Sequence, residues 1–212
     1  MKEYNFFGVN YNSQSSEIDD IIKDLKYGKI GIIPTDTIYG IVGIASSFAV
    51  KQKIYEIKQR HSSKNLVIQV GENYDLAKIT SEINENAKKL IAKFFPGQLT
   101  LIFNASKEFI QKYNWDIETV AVRIPNHPLF LKILNGINEP LFVTSANISG
   151  DSAINTIQEL KKIFLDTNKV DFIINDNKEY SVIPSTIVDV TAKDIKIIRE
   201  GIVKSDEIYC II

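Results

Sequence analysis

The 212-residue sequence has few of the residues that mark several large classes of protein. Its one cysteine, Cys210, excludes a disulfide framework, and a lone thiol of this kind is expected to be inert and partly buried. The sequence has no run of 18 apolar residues and no apolar signal segment at its start, so we expect no membrane span and a cytoplasmic location. Its 25 basic and 26 acidic residues nearly cancel, so net charge requires neither a nucleic acid nor a membrane partner.

Several catalytic motifs are also absent. The sequence contains no phosphate-binding G-x-x-x-x-G-K-[ST], no dinucleotide-binding G-x-G-x-x-G and no G-x-S-x-G of hydrolases. His61 and His127 have no cysteine pair or carboxylate at metal-ligand spacing, so no protein-bound metal site is predicted. His127 precedes Pro128 at the start of a predicted helix, so we expect it to be a solvated or capping histidine.

Hydrophobic periodicity indicates an α/β fold. Helical patterns cover residues 16–27, 48–60, 84–95, 127–135 and 155–165. Strand patterns cover residues 29–33, 66–70, 99–103, 120–124, 141–144, 170–174, 186–190 and 195–198. The last strands follow one another without helices, which favours a mixed sheet over a parallel one. No repeat or linker divides the chain, so the sequence predicts one domain over residues 1–212, with its core at about 16–203.

Arginine is rare among the basic residues: 22 are lysines and three are Arg60, Arg123 and Arg199. The rigid guanidinium fork grips phosphate or carboxylate with two parallel hydrogen bonds, so a lysine-rich sequence can retain arginine where that fork is needed. Scatter within a biased composition is the competing interpretation. Arg123 interrupts the apolar strand 120–124, where a charge is costly unless it is paired or bound. Arg199 ends a strand, and Arg60 lies in a basic cluster with Lys58 and Lys64 that suits a triphosphate.

Small polar residues occur in three segments beside predicted strands: PTDTIYG at 34–40 and TSANISG at 144–150 come at strand ends, and PST at 184–186 leads into the strand 186–190. Such residues can hold a ligand carboxylate or phosphate, but turns favour the same residue types, so both interpretations stay open. Ser145 and Asn147 are two residues apart in an extended segment, so their side chains should point the same way. If they only bind ligand, replacing both by alanine should abolish product and leave stability nearly unchanged.

Together these segments resemble the YrdC family. The resemblance runs in order from about residue 18 to residue 201, through PTDTIYG, Lys58-Gln59-Arg60, PGQLT at 96–100, residues 120–125, TSANISG, residues 184–189 and Arg199-Glu200-Gly201. It implies a twisted, mixed open sheet with flanking helices and a basic concave cleft in a single YrdC-like domain.

The family's characterised members imply an activity as well. They make L-threonylcarbamoyladenylate from L-threonine, bicarbonate or CO2, and ATP, with release of pyrophosphate, as the first step of threonylcarbamoyladenosine formation in tRNA. The resemblance implies Mg²⁺ entering with ATP as the cofactor, and separate downstream threonylcarbamoyl transferase proteins and tRNA as partners.

Site residues are carried over from the resemblance by position. It implies that Thr35, Arg123, Ser145 and Ser185 contact L-threonine. It implies that the nucleotide is bound by Lys58, Arg60, Lys64, Thr119, Asn147, Asn155 and Arg199. Within these sets, the catalytic group is Lys58, Arg60, Ser145 and Asn147.

The sequence departs from the family pattern at three places. Gln98 stands where the family usually has proline, and Gln69 stands where some members carry a histidine near threonine. The glycine-rich segment that commonly precedes Pro-Ser-Thr is replaced by residues 176–180, DNKEY. Two alternatives stay open: a YciO-like paralogue without synthase activity, and an RNA-binding module of the same fold with weak RNA binding in the basic cleft. The near-neutral charge argues against the RNA module.

Overall fold

The computed structural model describes residues 1–7, 15–59, 61, 65–165 and 169–212. The strands within these residues are β1 Lys2–Asn5, β2 Gly31–Ile33, β3 Gly40–Ile44, β4 Val67–Gln69, β5 Leu99–Asn104, β6 Thr119–Arg123, β7 Leu141–Ser145, β8 Phe172–Asn175, β9 Thr186–Asp189 and β10 Lys196–Arg199. The helices are α1 Ser15–Lys26, α2 Phe48–Lys58, α3 Glu85–Phe94, α4 Lys107–Tyr113, α5 Pro128–Ile137, α6 Ile157–Phe164 and α7 Ser205–Tyr209, with a short 3-10 helix at Leu76–Lys78.

The described strands join in one sheet, in the order β1-β8-β2-β3-β7-β4-β6-β5-β9-β10. Pairs β1 with β8, β2 with β8, β4 with β6 and β5 with β9 are parallel, and the other neighbouring pairs are antiparallel. The predicted twisted, mixed open sheet with flanking helices is therefore confirmed.

Strand pairing brings distant polar segments together. The segment 34–39 connects β2 to β3, and β3 then pairs antiparallel with β7 so that Gly40 lies opposite Ser145. The backbone N–H of Ala146 donates to the carbonyl of Tyr39 at 2.8 Å, which extends this pairing by one residue. The PTDTIYG and TSANISG segments thus lie side by side although about 100 residues separate them.

Helices cover the sheet through apolar faces. In α1, Ile18, Ile21 and Leu25 are buried, as the three- and four-residue spacing predicts, and α1 packs against α5. Each of these side chains contributes roughly 1.5–3 kcal/mol by its burial. Gly28, with φ +79°, adopts the left-handed conformation that follows α1 and that favours glycine.

The predicted helices and strands all occur, with ends that shift by at most two residues. Hydrophobic periodicity does not indicate β1, β3, α4, the 3-10 helix or α7. The prediction that Cys210 is partly buried is wrong: Cys210 directly follows α7 and is exposed. No helix in the described ranges is both long enough and apolar enough to span a membrane.

Candidate active site

A cavity of about 430 Å³ opens on one face of the sheet. Strands β4, β5 and β6 contribute residues two apart in sequence, because alternate side chains of a strand point to the same face. These residues are Val67 and Gln69, Thr100 and Ile102, and Thr119, Ala121 and Arg123. The intervening side chains, such as those of Ile68, Leu101 and Val122, are buried in the core. The volume suits a small-molecule ligand.

Arg123, the last residue of β6, lines the cavity but is only 3% exposed. Its guanidinium donates to Asp36 Oδ1 at 2.6 Å, to Thr37 Oγ1 at 2.9 Å and to the carbonyl of Gly97 at 2.8 Å. Burial lowers the pKa of Arg123, and the Asp36 carboxylate opposes that shift. The charge in this apolar strand is therefore compensated within the protein, so its burial alone does not require a bound ligand.

Thr35 stabilises the turn between β2 and β3. Its Oγ1 donates to the carbonyl of Ile38 at 2.7 Å and accepts from the N–H of Thr37 at 3.1 Å. Gln98, which replaces the family's usual proline, donates from Nε2 to the carbonyl of Asp36 at 2.9 Å. Thr35 lines the cavity, and the segment that follows α3 holds its turn in place.

Lys58 is 1% exposed and joins two of the predicted site residues. Its Nζ donates to the carbonyl and Oγ of Ser145 at 2.7 and 3.1 Å and to Asn147 Oδ1 at 2.6 Å. Ser145 Oγ also donates to Asn147 Oδ1 at 2.5 Å, and both side chains line the cavity, as their spacing predicts. Asn147 Nδ2 donates to the carbonyl of Asp151 at 2.6 Å. The buried ammonium therefore fixes the two side chains that face the cavity.

Ser185 and Arg199 also line the cavity. Ser185 Oγ shares a hydrogen bond of 2.8 Å with Thr100 Oγ1. Arg199, at the end of β10, is exposed and donates from Nη2 and Nε to the carbonyl of Ser185 at 2.7 and 3.2 Å. Arg199 thus contacts the backbone of Ser185, a residue predicted to bind threonine.

The other predicted nucleotide contacts have different locations. Thr119 lines the cavity, whereas Asn155 does not line it and its carbonyl accepts from the N–H of Tyr180 at 3.4 Å. Arg60 and Lys64 lie outside the described residues. The basic character of the cleft stays a prediction, since two of the residues that would supply it are outside that range.

Asp36 is the main site residue that sequence reasoning missed. The available signal was an acidic residue within PTDTIYG, one position after a predicted threonine contact. Gln69 also lines the cavity, is 4% exposed and has an Oε1 without a hydrogen-bond partner among the described residues. A buried acceptor without a partner at a cavity surface is costly, and a donor on a ligand would satisfy it.

This mixed sheet, with a small-molecule cavity lined by residues from both ends of the sequence, defines an α/β ligand-binding protein. The chain belongs to the Sua5/YciO/YrdC family, whose model, described as "Telomere recombination", matches residues 23–201.

Proteins similar in sequence and proteins similar in structure support the same family assignment. A Methanocaldococcus jannaschii protein, provisionally named threonylcarbamoyl-AMP synthase, is 35% identical over 201 residues, which are 93% of this chain and 91% of that protein. Threonylcarbamoyl-AMP synthase of Pyrococcus abyssi is 30% identical over 188 residues, 89% of this chain but 55% of its own length. The structure of P. abyssi Sua5 complexed with L-threonine superimposes with a TM-score of 0.90 at 28% identity, over 100% of this chain and 61% of that one.

Proposed function

We propose that this protein is a nucleotidyltransferase that makes L-threonylcarbamoyladenylate from L-threonine, bicarbonate or CO2, and ATP, and releases pyrophosphate. The observation that carries the proposal is the meeting of Thr35, Arg123, Ser145, Asn147, Ser185 and Arg199 around one cavity, although they are spread over 165 positions of the sequence. The relatives named as threonylcarbamoyl-AMP synthases, and the complex of one of them with L-threonine, support the same activity.

The chemistry needs orientation and charge neutralisation above all. The threonine amine adds to CO2 and loses a proton to give a carbamate, whose oxygen attacks the α-phosphorus of ATP. The bond from that phosphorus to the bridging oxygen of pyrophosphate then breaks. Both reactants are anionic, so a site that holds them close must supply cations and hydrogen-bond donors.

Threonine is assigned to the side of the cavity that carries Arg123, Thr35 and Ser185. There a carboxylate would enter beside a cation whose position is fixed by Asp36, so little reorganisation would be needed on binding. The unpartnered Gln69 Oε1 is an acceptor that the ligand's ammonium or hydroxyl can satisfy.

ATP is assigned to the rim, near Arg199, Thr119 and Asn147, with Arg60, Lys64 and Asn155 as further predicted contacts. The exposed guanidinium of Arg199 suits a triphosphate, which itself stays partly in solvent. Lys58 acts in this proposal by holding Ser145 and Asn147, since its Nζ is directed to both of them.

Mg²⁺ is proposed to enter with ATP. Among the described residues, no group of three or more histidine, cysteine or acidic residues could hold a metal ion. Asp151 is the one acidic residue among the described residues that line the cavity. This donor set fits an ion held mainly by phosphate oxygens and water, which is how Mg²⁺ commonly binds with nucleotides. When bound, the ion would neutralise charge on the phosphates.

Separate threonylcarbamoyl transferase proteins and tRNA are proposed as the downstream partners, in the cytoplasm. The carbamoyl adenylate is an activated acyl donor, so its consumer must be a transferase that carries the acyl group to an amine of the tRNA base. Weak RNA binding in the cleft is part of the same proposal.

The test is to measure pyrophosphate release by the purified protein with ATP, Mg²⁺ and bicarbonate, with and without L-threonine. We expect release to depend on threonine, and mass spectrometry should detect threonylcarbamoyladenylate. L-Serine and L-valine are matched controls that lack the methyl or the hydroxyl group of threonine. Threonine-independent release, or RNA binding without any release, would reject the synthase.

A further inference from the structure

The segment between β8 and β9 carries three residues that line the cavity: Val182, Pro184 and Ser185. The sequence of its first part, residues 176–180, replaces the family's glycine-rich segment and so does not predict a conformation. The structure shows that this part is fixed by a polar cluster of the buried His127 and Asp176 and the half-buried Tyr180.

The hydrogen bonds of this cluster have one consistent direction. His127 Nδ1 accepts from the N–H of Phe130 at 3.4 Å, so Nε2 carries the proton and donates to Tyr180 OH at 2.9 Å. Tyr180 OH in turn donates to Asp176 Oδ2. His127 and Asp176 are 5% and 4% exposed, so these bonds are shielded from water. The capping role predicted for His127 is confirmed, whereas the solvated alternative is wrong.

The Asp176 carboxylate is stabilised in its charged form. Burial opposes ionisation, but the His127 ring, whose Nε2 lies 3.6 Å from Asp176 Oδ2, and the hydrogen bond from Tyr180 hold the pKa of Asp176 below its ordinary value. Asp176 Oδ1 also accepts from the N–H of Lys178 at 3.3 Å, which closes the turn. A charged acceptor makes the bond from Tyr180 stronger than a bond between neutral groups.

The cluster connects to the cavity through Tyr39. The rings of Tyr180 and Tyr39 pack edge to face, with centroids 5.0 Å apart, and Tyr39 OH donates to the carbonyl of Lys178 at 3.3 Å. Tyr39 lines the cavity and adjoins Gly40, which pairs with Ser145. The segment is therefore attached to the same strands that hold the predicted threonine contacts.

The far end of the segment has its own attachment. The carbonyl of Pro184 accepts from the N–H of Ile202 at 3.2 Å, and the carbonyl of Ser185 accepts from Arg199. A Cβ on Gly201 would lie 2.1 Å from the Pro184 carbonyl, so the backbones are in close contact there. Between the two attachments lie Val182 and Ile183, which are 54% and 48% exposed.

We propose that Tyr180, held between His127 and Asp176, is a positioning residue that fixes the 181–183 span as one wall of the substrate cavity. The expected change in KM rests on the proposed function. The expected loosening of the 181–183 span does not depend on that function and can be tested separately. Without the Tyr180 hydroxyl, the start of the span would lose its link to His127 and Asp176 and would keep only the ring contact with Tyr39 and the backbone hydrogen bonds of Lys178 and Tyr180. Substrate would then bind to a wall that must first be ordered, and it would bind more weakly.

The test compares Tyr180→Phe with Tyr4→Phe. Tyr4 is a matched control because its buried hydroxyl also donates to an aspartate, Asp24 Oδ2 at 3.1 Å, and Tyr4 does not line the cavity. For Tyr180→Phe we expect the KM for L-threonine to rise about five- to tenfold with kcat changed less than about twofold, as expected if binding loses part of the free energy of one charge-assisted hydrogen bond. Tyr4→Phe should leave both constants near those of the wild type. Asp176→Asn, which keeps an acceptor but loses the charge, should give an intermediate KM.

Hydrogen–deuterium exchange of the substrate-free proteins provides the second readout. Amides in peptides spanning residues 177–183 should exchange faster in Tyr180→Phe than in the wild type, whereas Tyr4→Phe should not change them. Unchanged exchange, or a KM shift no larger than that of Tyr4→Phe, would overturn the inference. If the wild-type protein shows no threonine-dependent release, the proposed function fails, and the exchange data alone then decide whether Tyr180 holds the span.

Discussion

The cavity has two walls that are held in different ways. The strand wall, formed by Arg123, Ser145 and Asn147, depends on buried charges: Arg123 pairs with Asp36, and Lys58 joins the other two residues. The loop wall, formed by residues 181–185 together with Arg199, is more exposed and is held at its two ends. We therefore expect substitutions in the strand wall to lower stability and activity together. Substitutions in the loop wall should weaken ligand binding with little loss of stability.

The largest effect is expected for Arg123→Met. The side chain of Asp36 is only 10% exposed, and this substitution leaves its carboxylate without a cation. The free energy of unfolding should therefore fall by about 3–5 kcal/mol. Urea denaturation would measure the loss. Adding Asp36→Asn should restore part of it, because the unpaired charge is then removed. A loss below about 1 kcal/mol would mean that the strand wall does not depend on this ion pair.

Asn147→Ala should have the next largest effect on stability. It removes an acceptor 2.6 Å from the buried Lys58 ammonium and the bond to Asp151, so we expect a loss of about 1–3 kcal/mol and little or no product. Asn147→Asp keeps an acceptor for Lys58 but loses the donor to the Asp151 carbonyl, so it should lose less stability than Asn147→Ala while its added charge repels ATP. Thermal unfolding and pyrophosphate release would measure the two effects. From the sequence alone, replacing Ser145 and Asn147 by alanine is expected to leave stability nearly unchanged. Because Lys58 is buried, we instead expect a loss of stability.

Arg199→Lys tests the loop wall. The residue is exposed, so stability should change by no more than about 0.5 kcal/mol. Loss of the guanidinium fork should lower kcat/KM for ATP roughly ten- to a hundredfold and affect threonine less. Lys196→Arg, at the exposed start of the same strand and outside the cavity lining, is the control for a charge-conserving exchange of a basic residue. Equal effects on both substrates would contradict the assignment of Arg199 to ATP.

The smallest effect concerns the acid stability of the loop wall. The pKa of Asp176 is lowered, so its stabilising contribution is present above its ordinary value of 3.8 and is lost as pH falls through the lower pKa of the folded state. The difference in unfolding free energy between wild type and Asp176→Asn should therefore stay constant from pH 7 to pH 5 and shrink below about pH 4. Urea titrations at pH 7, 5, 4 and 3 would measure it. A difference that does not depend on pH would show that the charge of Asp176 contributes nothing.

Local sequence pattern predicted most of the fold. Helix α1 was evident from the spacing of its isoleucines, and α5 from Pro128 at its start. Strand β3 was missed because Gly40 and Gly43 interrupt its apolar pattern, and glycine weakens the signal of a strand. Helix α4 has only seven residues, too few for a clear period.

The site was predicted as a set of residues but not as a set of contacts. Lys58 was predicted as part of a basic cluster that suits a triphosphate, yet it is buried because its acceptors come from residues 87 and 89 positions further along the chain. The partner of Arg123 is likewise 87 positions away, at Asp36. Such pairs depend on strand order, here β3 beside β7 and β4 beside β6, which the periodicity of single strands does not determine.

The position of β8 has a consequence for synthesis on the ribosome. Strands β1 and β2 are made first, but they do not pair with each other. Each pairs instead with β8: Lys2 of β1 and Gly31 of β2 both lie opposite Phe172. The edge of β2 is therefore left open until more than 170 residues have emerged, and its Ile32 and Ile33 are apolar side chains that the finished protein buries completely. An unpaired apolar edge of this kind invites association between nascent chains, so the polypeptide should depend most on chaperones just before β8 appears.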